Sequence, residues 1–301
     1  MKVRLDWIVR VLALTLTVLL LGTTTGAVWA AEAKEAKNAP QRVVSIDGAI
    51  TEIVYALDRQ AALVGVDSTS TYPAAATKLP DIGYMRTLTA EPIVALEPDL
   101  VIAATDAGPA TTFDQLRATN IDVVQVPDEP TPAGVRHKIT AVADALDVPA
   151  RGKTLADRIG AEFDRLQSHV AQTDNRPSVL TLLAAGRGNM MAAGQRTSAN
   201  GITKLAGAQN AIGSYSGYRP LSTEAVIQAS PDWIVLTKRA LESLGGRQGL
   251  RTHAGLGSTP AAKSDHIIAM DGLLLLGFGP RTPTAARRLA KRMHADWPAA
   301  D

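Results

Sequence analysis

The strongest constraint on the fold is an internal echo. The segment Gly83-Tyr84-Met85-Arg86-Thr87-Leu88-Thr89-Ala90-Glu91 returns, one residue shorter, as Gly217-Tyr218-Arg219-Pro220-Leu221-Ser222-Thr223-Glu224. The echo continues downstream. Glu91-Pro92-Ile93-Val94-Ala95-Leu96-Glu97-Pro98-Asp99 matches Glu224-Ala225-Val226-Ile227-Gln228-Ala229-Ser230-Pro231-Asp232, and each copy runs into an apolar strand. Pro-Asp before a strand arises readily by chance, because Pro ends a helix and Asp tolerates the turn. The whole register does not. Two distant copies are too few for a solenoid, which stacks several adjacent repeats. Two similar lobes facing a shared ligand cleft are the simpler architecture.

The pattern between and around the copies supports that reading. From Arg42, β-branched runs alternate with helix-like stretches, as in βα units with a largely parallel sheet. The expected strands are Arg42–Ile46, Ala62–Val66, Leu100–Ala104 and Asp122–Val126. Thr51–Leu57, Glu91–Leu96, Thr111–Asn120 and Pro132–Leu146 are the expected helices. Residues 41–149 therefore form one α/β lobe. Ala150–Thr173 lacks Pro, and Leu155, Ile159, Phe163, Leu166 and Val170 recur at helical spacing, which predicts one long helix over 150–174. Pro177 stops it, and strands at Val179–Ala184, Trp233–Thr237 and His266–Met270 build a second α/β lobe over 177–298. Thr284–Trp297 reads as an amphipathic helix whose Arg and Lys residues form a solvated face.

A chain of 301 residues suits two compact cores. Its 46% apolar and 20% charged residues argue against extended disorder. The formal charge of +2 comes entirely from the first thirty residues, and no basic stripe with interleaved aromatics supports a nucleic-acid partner. Those thirty residues have a basic start, an apolar run from Val11 to Leu21 and a small-residue stretch ending Val28-Trp29-Ala30. That is the pattern of a cleaved export signal, with cleavage after Ala30 or Ala31. The apolar run is shorter than the roughly 20 residues of a spanning helix. With no cysteine there is no thiol for lipid attachment, so a periplasmic protein is expected.

Tyr84 is the main candidate for chemistry. A tyrosine after glycine is usually a half-buried loop side chain. Here Arg86 stands two residues on, where a guanidinium beside the phenolic oxygen would favour phenolate, a known axial ligand of ferric haem iron. Thr89 and Ser222 are plausible helix caps, and Glu91 and Glu224 follow in each first turn. Those two carboxylates serve either the helix dipole or docking to a two-fold partner. No enzyme constellation stands out. His137, His169, His253, His266 and His294 are scattered, Asp265-His266 and Asp67-Ser68 are generic, and Gly186-Arg187-Gly188 and Gly277-Phe278-Gly279 read as tight turns.

These residues resemble the haem-binding subfamily of periplasmic proteins that serve ATP-driven haem importers, over residues 41 to 298. The likeness lies in Arg42-Val43-Val44-Ser45, in Val64-Gly65-Val66-Asp67-Ser68-Thr69-Ser70-Thr71-Tyr72-Pro73, in Leu79-Pro80-Asp81-Ile82-Gly83-Tyr84-Met85-Arg86, and in Asp106-Ala107-Gly108-Pro109. Cobalamin and siderophore binders look similar in layout but differ at the Gly-Tyr-x-Arg loop.

The resemblance implies two lobes bridged by one rigid helix, a shallow cleft, and haem b as the transported ligand with its iron on Tyr84. It makes Arg86 the supporting neighbour, Tyr72, Tyr218 and Arg239 further haem contacts, and Lys238 or Arg247 alternatives to Arg239 at a propionate. Glu91 and Glu224 become docking carboxylates for an ABC permease and, through it, an ATPase, with an outer-membrane haem receptor system upstream. A monomer is expected. Some relatives carry a second-lobe histidine near the segment corresponding to 186–194. This chain has no histidine between His169 and His253, which favours a single five-coordinate haem, with Met190 or Met191 nearest the open face. The competing readings are a siderophore or corrinoid binder on the same fold and a periplasmic haem-modifying enzyme.

Overall fold

A computed structural model describes residues 39–298 apart from 186–188 and 221. The export segment and the Gly186-Arg187-Gly188 turn thus lie outside the described residues. In the first lobe β1 (Val43–Ile46), α1 (Gly48–Ala56), β2 (Leu63–Val66), α2 (Ala90–Val94), β3 (Leu100–Ala104), α3 (Ala110–Ala118), β4 (Asp122–Val126) and α4 (Pro132–Ala145) follow in chain order. The strands form an all-parallel sheet in the order β2-β1-β3-β4. Such sheets bury both faces, which is why β1 and β3 are apolar along nearly their whole length.

The long helix, α5, runs Pro149–Val170. It buries Leu155, Ile159, Phe163 and Leu166 along one stripe, as their spacing predicts. The second lobe comprises β5 (Ser178–Ala185), β6 (Asn189–Ala193), α6 (Ser198–Leu205), β7 (Gln209–Asn210), β8 (Tyr218–Pro220), α7 (Thr223–Ala229), β9 (Trp233–Thr237), α8 (Lys238–Ser243), α9 (Gly246–Thr252), α10 (Pro260–Lys263), β10 (Ile267–Met270), α11 (Gly272–Leu276) and α12 (Thr282–Met293). Its sheet order is β10-β9-β5-β6-β8, with β7 beside β5. β5, β9 and β10 are parallel, whereas β6 and β8 pair antiparallel at one edge. That edge was not expected: β6 and β8 are short, and neither carries a β-branched run.

Side-chain alternation along β5 and β9 divides the second sheet between two cores. Val179, Trp233 and Val235 join the first lobe's apolar core through α5, α6 and α12. Leu180, Leu182, Ile234 and Leu236 face the other way, into a core with Leu250 and Leu256. The lobes therefore share apolar packing across α5 and do not hang on a thin linker. α12 seats Ala285, Ala286, Leu289, Ala290 and Met293 in that shared core and leaves Arg287 half-buried at its edge and Arg288, Lys291 and Arg292 outside.

The echo in the sequence is an echo in the backbone. Gly83 and Gly217 both take positive φ, at 97° and 81°, and Glu97 and Ser230 end their helical segments left-handed at 46° and 42°. Asp99 and Asp232 each start a strand by accepting backbone N–H groups from the start of the neighbouring strand, at Gln41 and Arg42 in one lobe and at Ser178 in the other. One detail departs from expectation. Ser222 caps α7 by accepting the Ala225 N–H, but Thr89 makes no side-chain cap bond. The equivalent third helical residue is Pro92, which has no N–H to give.

Candidate functional site

In an open parallel sheet, ligand-binding loops gather beyond the carboxyl ends of the strands. At that end of the first lobe stand Asp47 after β1, the Asp67–Pro73 loop after β2, Asp106 after β3 and Asp128 after β4. Gly83-Tyr84-Met85-Arg86 crosses the same end. Hydrogen bonds from Ser68 N–H to the Gly83 carbonyl and from Gly108 N–H to the Met85 carbonyl tie it to two of these loops. Met85 is buried and anchors the loop, leaving Tyr84 and Arg86 on either side of it outward. Tyr84 is 48% exposed, a high value for a large aromatic ring on an anchored loop.

Arg86 does not turn to Tyr84 here. It donates to the Asp106 carboxylate at 2.6 Å, across to the loop after β3. Both members of this pair are well exposed, and such pairs contribute about 0–1 kcal/mol, so the guanidinium is held in the cleft without being fixed there. Tyr218 in the opposing lobe senses the Arg86 charge, so the two copies of the loop do face one another. Its hydroxyl is hydrogen-bonded to the Thr197 side chain and the Ala199 backbone, and burial pushes it above the ordinary phenol range. Tyr218 is thus kept as a phenol. Arg219 instead lies 4.6 Å over the Tyr215 ring.

Tyr72 is 45% exposed and has the Arg281 guanidinium 3.5 Å from its ring centroid. Arg281 reaches from the start of α12 and forks onto the buried Glu52 carboxylate of α1, its Nε at 2.9 Å from one oxygen and its other nitrogen against the second. This interlobe clamp has no signal in the sequence, because its members are separated by more than 200 positions. Beside it, Lys138 of α4 is 1% exposed and donates to Asp128 at 2.6 Å and to the Gly277 carbonyl at 3.3 Å. Gly277-Phe278-Gly279, more than a tight turn, is part of the lobe junction.

In the second lobe, Arg239 and Lys238 lie exposed in the first turn of α8, just beyond the carboxyl end of β9, where Thr237 caps the helix. Arg247 is otherwise engaged: it pairs with Asp265 at 2.7 Å and donates to the Ile267 carbonyl, so it is not the spare cation the sequence left open. Met190 points into the second core and Met191 is half-buried on the opposite face of β6, which removes Met190 from the cleft. Glu91 and Glu224 are both exposed.

Asp47, Asp106 and Asp128 present oxygens within 4.8 Å of one another. Their charges are already matched: Asp106 by Arg86 and Asp128 by Lys138. Asp47 accepts the Ala49 N–H, and burial pushes its carboxyl from 3.8 up to about 7 against the pull of Lys138. The folded chain therefore holds a proton at Asp47 between about pH 4 and 7, where the unfolded chain has released it. This group's contribution favours the fold at the acidic end of that window and is lost as pH rises through it. Asp47→Asn keeps an oxygen for the Ala49 N–H and removes the titration. Urea unfolding across the window should show a shallower decline of stability with pH than in the wild-type chain, by roughly 2–4 kcal/mol in total. An unchanged slope would show that Asp47 is not the group responsible.

A depression of about 890 Å3 lies at the opposite, amino end of β5, β9 and β10. Its polar lining is largely spoken for: Arg176 donates to the Thr173 carbonyl, Asp232 accepts from Ser178, and His266 stacks on Trp233 at 4.3 Å. The interlobe cleft, with its exposed tyrosines, has the better claim to a ligand.

Comparison with known proteins agrees with the architecture. The periplasmic haem-binding protein RhuT from Roseiflexus sp. RS-1 superposes with a TM-score of 0.81 and 40% identity, covering 84% of this chain and 97% of that one. BhuT, a periplasmic haem-binding protein solved with two haems, gives 0.79 and 38% identity over 83% and 97%. The vitamin B12-binding protein of Pectobacterium carotovorum is 29% identical over 65% of this chain and 71% of its own length. The sequence pattern of the periplasmic binding protein family matches residues 43–273, and this two-lobed α/β chain belongs to that family.

Proposed function

We propose that this chain captures haem in the periplasm, holding ferric iron through the Tyr84 phenolate, and hands it to an ABC permease and its ATPase. The observation that carries the reading is the Tyr84 loop, a half-exposed tyrosine fixed by a buried Met85 at the strand ends, opposite Tyr218. The haem-binding relatives, at up to 40% identity over nearly their whole length, support haem over a corrinoid. Arg86 leaves Asp106 at little cost and supplies positive charge beside the phenolate, which favours the ligating form. Tyr72 offers a ring edge, and Arg239 or Lys238 a cation for a propionate across the cleft. Glu91 and Glu224 are the docking carboxylates. The protein binds and releases its cargo unchanged, and it is exported by cleavage after Ala30 or Ala31.

Absorbance titration of the mature chain with haemin tests this directly. The expected result is saturation at one haem per chain with the spectrum of five-coordinate tyrosinate-ligated ferric haem. Tighter binding of cobalamin than of haemin, or no saturable Soret change, would sink the proposal. BhuT holds two haems, so the stoichiometry itself is informative. A second equivalent binding at comparable affinity would overturn the inference drawn from the missing second-lobe histidine. Incubation of the loaded protein with a reductant should leave the porphyrin intact.

A further inference from the structure

Large apolar side chains are exposed at four positions among the described residues: Tyr72, Tyr84, Val94 and Ile227. The tyrosines line the cleft. Val94 and Ile227 occupy the same position in the two copies of the duplicated unit, three residues after Glu91 and Glu224. The match extends to every neighbour. From Glu91 to Glu97 the side chains run exposed, half-buried, buried, exposed, exposed, half-buried, exposed, and from Glu224 to Ser230 the same seven-step order recurs. Ile93 and Val226, the buried member of each set, fix the rotation of α2 and α7, so the outward face is set by packing. Residues three apart share a helix face. Each lobe therefore presents one carboxylate with one apolar side chain beside it.

A single exposed Val or Ile is ordinary and needs no account. Two of them, 37% and 56% exposed, at equivalent positions beside equivalent carboxylates, are a repeated surface. We propose that Val94 and Ile227 are the apolar halves of two matched docking knobs, which seat in two equivalent recesses of a two-fold-symmetric membrane permease, each recess offering a cation for the carboxylate and an apolar wall for its neighbour. This rests on the delivery function proposed above and names surface residues that function does not require for capture. The carboxylates set orientation and encounter rate, while the apolar pair lengthens the life of the complex by leaving water. Ile227, larger and more exposed, carries more of that effect than Val94.

Right-side-out membrane vesicles from the bacterium that carries this chain, energised with internal ATP, provide the test, with haem uptake measured against the concentration of haemin-loaded full-length mature protein. Val94→Ser should raise the half-saturating concentration about threefold and Ile227→Ser about tenfold, with the double variant near the product. Haemin titration and thermal midpoint should stay at wild-type values. Added salt should weaken docking of the wild type and the serine variants in parallel, since it screens the carboxylates alone. A double variant that docks like wild type overturns the proposal, as does one whose haemin titration is impaired, because the residues would then act on capture. Vesicles that take up no haem from protein that titrates normally overturn it too, leaving capture standing. Failure of capture itself appears earlier, in the titration of the wild-type chain.

Discussion

Tyr84→Ala should lower the affinity for ferric haem by roughly 100-fold or more and abolish the tyrosinate spectrum. Groups that merely support a metal ligand cost about 10–100-fold when removed, and loss of the ligand itself should exceed that. The fold should not notice, because Tyr84 is 48% exposed and its loop is anchored by Met85. Tyr84→Phe separates the ring from the oxygen: it keeps the apolar contact with the porphyrin and should lose the spectrum as fully as alanine does. Tyr218→Phe is the matched control from the other copy of the loop. Its hydroxyl is already hydrogen-bonded to Thr197 and Ala199, and burial keeps it protonated, so its removal should change haem affinity less than tenfold. A Tyr84→Ala protein that retained the wild-type spectrum would remove iron ligation by Tyr84 from the proposal, whatever the fate of haem binding itself.

The contrast between the two tyrosines marks what could be read from sequence and what could not. Periodicity exposes anything that repeats along the chain. The strands β3, β4 and β9 lie at the expected residues, α5 is within four residues of expectation at each end, and the duplicated unit recurs down to the left-handed residues that close its two helices. Local chemistry is legible as well when the partner is close in sequence, as with the Ser222 cap. The same rule misjudged Thr89 because the absent N–H belongs to Pro92, three residues on. Contacts between distant segments carry no periodic trace. Asp106 takes Arg86 from the loop after β3, Asp265 takes Arg247, and Lys138 reaches Gly277, each joining residues that no spacing argument would pair. Pairwise attraction at short range decides such partners, and only the fold determines which charges come within range.

The largest of these unread contacts should dominate stability. Arg281→Ala removes the guanidinium that forks onto Glu52 and covers the Tyr72 ring. Glu52 would then be a buried carboxylate without its forked partner, left with the weaker pull of Lys138 and the opposing charge of Asp271. Breaking one member of a buried pair typically costs about 3–5 kcal/mol, and because Arg281 is partly exposed the lower end, roughly 3 kcal/mol, is expected. For a chain of this size that lowers the thermal midpoint by about 5 °C. Burial already raises the Glu52 carboxyl above its ordinary range even with Arg281 in place, and losing the cation raises it further. A raised carboxyl favours the fold where it is protonated, so the deficit of the variant should shrink as pH falls from about 8 toward 5. Glu52→Gln in the Arg281→Ala background removes the stranded charge and should recover part of the loss, with no remaining pH dependence from this site. Differential scanning calorimetry of the three proteins across that range reads all of these effects. A deficit that stays constant with pH would mean that the cost arises from lost packing on Tyr72. A recovery confined to the double variant and to low pH in the single one would identify the Glu52 charge as the source of the deficit, and with it the ion pair that links the lobes carrying Tyr84 and Tyr218.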